Sequence, residues 1–168
     1  MRAAFLSQTL TSTIGISMLA VATAAELVSH VGEDLGPSEW LTITQTMIDQ
    51  FAEATGDHQW IHVDTKRAAT EMPDGKTIAH GYLLLSCLPG LSTPLLKIGA
   101  KKRTLNYGSD RVRFTATVAS GSRVRLRQTI KQVEQTPIGT KVIIENTLEL
   151  EGSQRPALVA DTIQLVLE

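Results

Sequence analysis

The sequence predicts a single α+β domain in which an antiparallel β-sheet packs against one buried helix. The segment from Ile78 to Leu96 is apolar on nearly every side, which is typical of a helix enclosed by other elements. From Arg123 onward, two segments alternate polar and apolar residues, as strands with one buried face do, and a third extended run, Ala157–Leu167, alternates less cleanly. With 168 residues, 42% of them hydrophobic, the chain is long enough for one core and leaves little room for a second domain.

The first element with clear boundaries is a short amphipathic helix over residues 45–54. Thr44 suits the N-cap position, and Gly56 suits the position just after the last helical turn. Between them, apolar residues recur at helical spacing, namely Met47, Ile48, Phe51 and Ala54. We therefore expect one face of this helix to pack on the core.

Three short pieces follow this helix. Ile61–Val63 reads as an extended segment, and Thr65 or Asp64 would cap a second helix from Lys66 to Glu71. Met72–Gly75, with the sequence Met-Pro-Asp-Gly, is typical of a turn. These pieces connect the first helix to the apolar run.

The apolar run is predicted to be the buried helix. Pro89, Gly90 and Pro94 interrupt it, so it does not suit a membrane span, and the helix should end or kink near Leu88. The strands that enclose it are predicted over Arg123–Ile130, Val142–Leu150 and Ala157–Leu167, with turns at 137–139 and 151–153. Periodicity alone predicts this α+β arrangement and no named fold.

Titratable side chains are concentrated in the segment Thr55–Asp64, just after the first helix. Asp57 and His62 lie five residues apart, and a carboxylate and an imidazole held together can activate a water molecule. Alternatively, Asp57 is an ordinary turn residue and His62 a structural hydrogen-bonding group. A metal site built from Asp57, His58, His62 and Asp64 is a less favoured interpretation, since no second ligand cluster of standard spacing accompanies it.

A second candidate feature is Thr77–Gly81, directly before the apolar run. If the helix begins here, its first N–H groups have no intrahelical partner, and they would favour negative charge. Gly81 has no side chain, so a substrate carbonyl could approach its N–H closely. The alternative is that His80 and Gly81 only shape the start of the helix.

Charge and cysteine content exclude some functions and restrict others. The formal net charge is −1 and aromatic residues make up 4%, which argues against nucleic acid as a partner. Residues 101–131 hold nine of the sixteen basic residues, so a polyanionic ligand is conceivable. For Arg123, Arg125 and Arg127, pairing with glutamates on a neighbouring strand explains the charge better. Cys87, the single cysteine, is predicted to be a buried and unreactive thiol.

Together these motifs resemble the MaoC-like dehydratases, which include the (R)-specific enoyl-CoA hydratases. The resemblance rests on Gly56-Asp57 followed by His62-Val63-Asp64, on Ala79-His80-Gly81, and on three later motifs. Those are Asn106-Tyr107-Gly108, Val112-Arg113-Phe114 and Gly121-Ser122-Arg123-Val124. It covers residues 26–168. It implies the hotdog fold, an antiparallel sheet wrapped around a long central helix, in a chain that pairs as a homodimer.

The resemblance also implies an activity, the addition of water to a trans-2-enoyl-CoA to give an (R)-3-hydroxyacyl-CoA, and the reverse dehydration. Asp57, mainly as the base, and His62 would activate the water, and the backbone N–H of Gly81 would bind the thioester oxygen. The residues expected to contact a CoA or acyl-carrier-protein thioester are His80, Asn106, Tyr107, Arg111 and Arg113. No cofactor, metal, nucleic acid or membrane is expected. The alternatives are an acyl-CoA thioesterase and a non-catalytic acyl-thioester-binding protein.

Three departures from the family pattern bear on substrate binding rather than on the reaction. Gln59-Trp60 stands where many members have Asn-Pro, and Pro89 where several have Ser. Thr117-Val118 stands where members commonly have Pro-Val. Acyl length and branching are therefore left undetermined.

Residues 1–25 form an extension that resembles a weak secretory or transit signal. Arg2 precedes the apolar stretch Ile14–Ala22, and Ala22-Thr23-Ala24 fits a signal peptidase site. Alternatively, Met18 is the true start, as the family resemblance favours. We expect a cytoplasmic protein, because thioester substrates of this kind are made in the cytosol and the chain can form no internal disulfide. Export is the alternative.

Overall fold

A computed structural model describes residues 8–11 and 17–168 of the chain. Its main sheet is antiparallel, with strand order β3-β7-β8-β9-β6, and β4 also pairs with β7. The strands are β3 (Asp34–Leu35), β4 (Leu41–Thr42), β6 (Arg103–Phe114), β7 (Arg123–Thr136), β8 (Gly139–Leu150) and β9 (Leu158–Leu167). A smaller sheet contains β1 (Gln8–Thr11), β2 (Ser17–Val21) and β5 (Leu96–Ile98). This antiparallel sheet with helices confirms the predicted α+β class.

Four α-helices and one 3-10 helix complete the described chain. They are the 3-10 helix Ala24–His30 and the helices α1 (Gln45–Thr55), α2 (Trp60–Val63), α3 (Thr65–Glu71) and α4 (Gly81–Ser92). None of the helices in this part of the chain is long and apolar enough to cross a bilayer.

Helix α1 confirms the predicted boundaries because both of its caps form. The Thr44 hydroxyl accepts a hydrogen bond from the Met47 N–H, 3.3 Å away. Gly56 has a left-handed backbone with φ of 77°, and its N–H donates to the Ala52 carbonyl. The side chain of Asp64, the alternative to Thr65, caps α3 by accepting from the Arg67 N–H at 2.9 Å. Local capping chemistry is therefore sufficient to set these boundaries.

The prediction of an extended segment at Ile61–Val63 is wrong, because these residues lie in the helical turn α2. The His62 N–H donates to the Gln59 carbonyl and the Asp64 N–H to the Trp60 carbonyl, both at 2.9 Å. Trp60 also packs against α3, with the Arg67 guanidinium 4.0 Å from its ring centre. These tertiary contacts outweigh the extended preference of two β-branched residues.

The prediction that the buried helix ends near Leu88 is wrong, since α4 continues to Ser92 with Pro89 inside it, while the alternative of a kink stays a prediction. Pro89 lies on an exposed face, whereas Leu84, Leu88 and Ser92 are buried on both sides of it. This burial keeps the chain helical despite the hydrogen bond that a proline cannot donate. The helix is also less enclosed than predicted, because Tyr82 is 67% exposed.

The three predicted strands are confirmed as β7, β8 and β9, which join through turns at the predicted positions. Cross-strand charge pairing is confirmed as well. Arg123 pairs with Glu151 at 2.9 Å, and Arg125 and Arg127 pair with Glu149 at 2.5 and 2.9 Å. The sequence did not reveal β6, whose side chains are mostly exposed and show no apolar alternation.

The segment from Met18 to Ala24 packs into the core. Leu19 and Val21 are 4% and 5% exposed, and β2 pairs in parallel with β5. Arg2 and residues 12–16 lie outside the described residues, so the signal-like interpretation of residues 1–25 and the boundary at residue 26 stay predictions.

Candidate active site

Asp57 lies in the loop that joins α1 to α2, and its position follows from the end of α1. The left-handed backbone of Gly56 turns the chain away from the helix axis, and Asp57 is the next residue. Its carboxylate is exposed and accepts a weak hydrogen bond, 3.4 Å long, from the Gln59 N–H. A carboxylate that faces solvent, with no cationic partner among residues 8–11 and 17–168, is available to bind a water molecule.

His62 lies on α2 and is 7% exposed. Its Nδ1 lies 2.7 Å from the Ile78 carbonyl oxygen. Because a carbonyl can only accept, Nδ1 must carry a proton, which leaves Nε2 of the neutral ring as a free acceptor. Ile78 is itself held by a hydrogen bond from its N–H to the Ile61 carbonyl, at 3.0 Å. The tautomer of His62 is therefore set by the backbone.

Two further residues, Gln45 and Thr77, hold α2 in place, and only Thr77 lies within a candidate motif of the sequence. The Gln45 amide donates to the His62 carbonyl at 2.8 Å, and its oxygen accepts from the hydroxyl of Thr77. Thr77 is 1% exposed. Gln45 lies at the start of α1, far from His62 in sequence, so nothing in the local pattern indicates this contact.

His80 lies directly behind the Asp57–His62 pair. Its Nε2 donates to the backbone carbonyl of Asp57 at 3.0 Å, and its ring stacks on that of His62 with centroids 3.7 Å apart. The ring also contacts Phe51, at a centroid distance of 5.1 Å. His80 is 3% exposed, and its Nδ1 has no hydrogen-bond partner within the described chain. Its predicted contact with substrate stays a prediction.

A carboxylate oxygen of Asp57 and ring nitrogens of His62 and His80 lie within 4.8 Å of one another. One water oxygen that forms hydrogen bonds of about 2.8 Å to two of these atoms can therefore bridge them. The same three groups could be considered as metal ligands, but the two imidazole rings stack at an interplanar angle of 26°. Their in-plane lone pairs are too nearly parallel to converge on one ion at about 2.1 Å. The arrangement suits a bound water better than a metal.

Gly81 is the first residue of α4, where N–H groups have no intrahelical partner and His80 provides no side-chain cap. A Cβ atom at this position would lie 2.8 Å from the ring of Phe114. Phe114 in turn packs edge-on against Tyr82, with centroids 5.7 Å apart. An added side chain would therefore force the aromatic ring to shift at the position whose N–H is predicted to bind the thioester oxygen.

A cavity of about 540 Å³ lies beside α4, and its lining begins one turn after Gly81. Of the predicted substrate contacts, Asn106 lines this cavity. Tyr107 is 68% exposed on β6, and Arg113 donates to the Val112 carbonyl at 2.7 Å. Arg111 and Lys131 both pair with Asp161, at 3.3 and 2.9 Å. Within the described chain, none of these four predicted contacts forms a hydrogen bond to Asp57 or His62, so their roles in binding stay predictions. The four are Asn106, Tyr107, Arg111 and Arg113.

Cys87 is partly buried against the core, and burial raises the pKa of its thiol. A thiol of raised pKa stays protonated at neutral pH and is a poor nucleophile. This supports the prediction that Cys87 is unreactive.

Comparison with known proteins identifies a matching family model and relatives that are similar over most of the chain. The family model described as the MaoC like domain matches residues 18–151. The chain is 47% identical over 140 residues to the 3-hydroxyacyl-thioester dehydratase Z of Mycobacterium tuberculosis, covering 83% of this chain and 92% of that protein. It is 46% identical over 146 residues to the Nodulation protein N of Rhizobium leguminosarum bv. viciae, covering 84% and 89%.

Among solved structures, the unliganded R-hydratase PhaJ1 from Pseudomonas aeruginosa matches with a TM-score of 0.69. The two chains are 22% identical, and the match covers 88% of this chain and 86% of the other. At this identity the likeness concerns the fold, and it confirms the predicted hotdog architecture.

Proposed function

The chain belongs to the MaoC-like domain family, and on that premise we propose that it adds water reversibly to the double bond of a trans-2-enoyl thioester. The product is a 3-hydroxyacyl thioester, with the (R) configuration that the family resemblance implies. The names of the relatives, a 3-hydroxyacyl-thioester dehydratase and an R-hydratase, support hydration and dehydration as the reaction class. The observation that carries the proposal is a ring nitrogen of His62 within 4.8 Å of an Asp57 carboxylate oxygen, in a ring whose Nδ1 is engaged by the Ile78 carbonyl.

The pair would act on one water molecule held between the two side chains. As the water oxygen bonds to the β-carbon, one of its protons passes to the Asp57–His62 pair. The π electrons of the double bond move toward the thioester oxygen, and the pair then returns a proton to the α-carbon. Every atom of the water ends in the product, so no other reactant is needed. Positioned acid–base groups of this kind contribute about 10²- to 10⁴-fold in rate.

Negative charge develops on the thioester oxygen in this step, and the start of α4 would stabilise it. The Gly81 N–H is the donor that we assign to this oxygen, and the α4 dipole adds to its effect. Removing one such donor costs about 10²- to 10³-fold in enzymes where this has been tested. The close contact of Phe114 with Gly81 would also exclude water from this position.

Loss of the conjugated enoyl absorbance of crotonyl-CoA tests this proposal directly. We expect turnover by the wild type and its loss in Asp57→Asn and in His62→Gln. Matched controls are Asp74→Asn, in the exposed turn, and His58→Gln, whose ring faces solvent near Glu53. Folding is checked for each variant by circular dichroism.

Wild-type rates in both active-site variants would rule out the proposed pair. A flat trace with crotonyl-CoA and with longer enoyl-CoAs would rule out hydration and favour a binding role. Release of free CoA instead of loss of the double bond would identify a thioesterase.

We also propose that the protein is a cytoplasmic homodimer whose copies pair through β6. This strand lies at the end of the main sheet, and within the described chain no other strand covers its outer edge. It exposes large apolar side chains, with Leu105 at 45% and Tyr107 at 68%. Light scattering after size exclusion would find twice the chain mass, and Tyr107→Glu would shift it toward the monomer.

A further inference from the structure

The inner face of the main sheet carries a row of polar side chains at positions whose neighbours on the same face are apolar. On β7, Gln128 lies between Leu126 and Ile130, and on β8, Asn146 lies between Ile144 and Leu148. Those four apolar neighbours are 0% exposed, and Gln128 and Asn146 are equally enclosed at 2% and 0%. Gln128 and Asn146 are register partners across the two strands.

These amides belong to a continuous hydrogen-bonded row that we call the polar row: Ser92, Gln128, Asn146 and Thr162. The Ser92 hydroxyl of α4 donates to the Gln128 oxygen at 2.8 Å, and the Gln128 amide donates to the Asn146 oxygen at 2.7 Å. The Asn146 amide then donates to the Thr162 hydroxyl of β9 at 2.9 Å. The row thus runs from the helix across three strands.

The apolar pattern of the sheet does not call for the polar row, although the Asn146 amide also donates to the Ile144 and Ala160 carbonyls, at 2.8 and 3.2 Å. Replacing both partners of a buried hydrogen bond by apolar groups of similar shape is commonly neutral or stabilising. Leucine and valine at these positions would continue the surrounding pattern. Four polar side chains at otherwise apolar positions are therefore available to contact a polar ligand.

The cavity beside α4 provides the place for such a ligand. All four members of the polar row line it, and so do Asn106 and Gln164, which are register partners on β6 and β9. Hydrogen-bonding capacity remains on this surface, because the Ser92 oxygen can still accept and the Gln128 amide has a second hydrogen. Within the described chain, Asn106 and Gln164 form no side-chain hydrogen bonds. The volume of about 540 Å³ lies in the range of small-molecule sites.

The cavity is aligned with the proposed reaction site along one face of α4. Leu85, Pro89 and Ser92 line it, and they follow Gly81 on the same helical face. With a rise of 1.5 Å per residue, they lie about 6 to 17 Å from Gly81 along the helix axis. A thioester held at the Gly81 N–H could therefore extend its acyl chain into the cavity.

We propose that this cavity binds the distal part of the acyl chain and selects chains that carry a neutral oxygen substituent, such as a hydroxyl or keto group. The substituent is neutral because the four members of the polar row carry no charge, and a buried ion would lack a partner. Lys101, the charged residue in the lining, is exposed at the rim. This inference rests on the proposed hydration of enoyl thioesters and specifies their substrate class.

The test compares 2-dodecenoyl-CoA with 12-hydroxy-2-dodecenoyl-CoA, whose acyl chain is long enough to extend from Gly81 toward Ser92, by their kcat/KM values for hydration. We expect the wild type to favour the hydroxylated substrate by about tenfold, which corresponds to about 1.4 kcal/mol. In the double variant Gln128→Leu/Asn146→Leu the preference should disappear or reverse, and in Ser92→Ala it should fall. The control is Gln135→Leu/Thr140→Val, which removes a polar pair between the same two strands near their turn and should retain the preference.

The outcomes separate this inference from the proposed hydration. Turnover of crotonyl-CoA by the wild type, combined with no preference for the hydroxylated dodecenoyl substrate, would overturn this inference and leave hydration intact. No turnover of any enoyl-CoA would overturn both. A preference unchanged in folded Gln128→Leu/Asn146→Leu would show that the polar row does not provide it. If the double variant fails to fold, the wild-type ratio and Ser92→Ala decide the question.

Discussion

The imidazole of His62 stacks on that of His80 with ring centroids 3.7 Å apart, so one face of the proposed catalytic ring is covered by a second histidine. The same His80 donates a hydrogen bond to the backbone carbonyl of Asp57 at 3.0 Å. One side chain therefore contacts both members of the proposed pair. We therefore infer that His80 positions the two groups that would hold the water.

Replacing His80 by Ala is expected to lower kcat by about 10- to 100-fold with a smaller change in KM, since displacement of a reacting group by about 1 Å costs on that order. His80→Gln should restore part of the rate, because its amide can still donate to the Asp57 carbonyl. Steady-state kinetics with crotonyl-CoA provides the measurement. Equal rates in the Ala and Gln variants would show that the hydrogen bond to Asp57 has no role in positioning.

Gly81→Ala is expected to reduce activity far more than stability. The added Cβ would lie 2.8 Å from the Phe114 ring, which is 44% exposed and can move aside. The displacement changes the surroundings of the N–H that we assign to the thioester oxygen, and we expect a loss of about 10²-fold, as for removal of one oxyanion donor. The double variant Gly81→Ala/Phe114→Ala should recover activity relative to Gly81→Ala. No recovery would mean that the steric conflict is not the cause.

Gln45→Leu is expected to lower the free energy of unfolding by about 1–3 kcal/mol, because it leaves the His62 carbonyl and the buried Thr77 hydroxyl without their partner. Chemical denaturation measures this change. Gln50→Leu, an exposed position on the same helix, is the matched control and should alter the unfolding free energy little. A similar loss in both variants would argue against a specific role for Gln45.

Glu149 should make the stability of the protein depend on pH in the acid range. Burial alone would raise its pKa, but the hydrogen bonds and charges of Arg125 and Arg127 outweigh burial and hold the pKa below its ordinary value of 4.5. A carboxyl with a lowered folded-state pKa stabilises the fold above its unfolded pKa, and this contribution is lost as pH falls through the folded value. The difference in unfolding free energy between wild type and Glu149→Gln should stay constant from pH 7 to about 5 and shrink below the ordinary pKa. A difference that does not change with acidification would contradict the lowered pKa.

The two interpretations of the N-terminal region give proteins that begin at different residues. A start at Met18 retains β2 from that residue onward, whereas cleavage of a signal after Ala24 removes it. A variant that begins at Met18 keeps Leu19 and Val21, which are 4% and 5% exposed, whereas one that begins at Ala25 loses both. Burial of each such side chain contributes about 1.5–3 kcal/mol, so the shorter variant should unfold at a clearly lower denaturant concentration. Equal midpoints for the two variants would show that β2 adds nothing to the core.

Which parts of the site could be predicted from sequence depends on how far apart the interacting residues lie in the chain. Asp57, His62 and Gly81 were identified because they stand within short motifs. Thr77 also stands within such a motif, but its contact with Gln45, which holds His62, gives no local signal. Phe114 was part of a motif, but its contact with Gly81 could not be read from the sequence.

By itself, the sequence determined the elements whose stability is local. The caps at Thr44 and Gly56 set α1, and alternation over β7, β8 and β9 predicted the antiparallel sheet, because capping and side-chain periodicity act between near neighbours. Only the tertiary structure decided the rest. It kept α4 helical beyond Pro89, turned Ile61–Val63 into a helix, fixed the tautomer of His62 through Ile78, and joined four separate polar residues into the row beside the cavity. These features depend on contacts between distant segments, and such contacts exist only once the sheet and α4 have packed together.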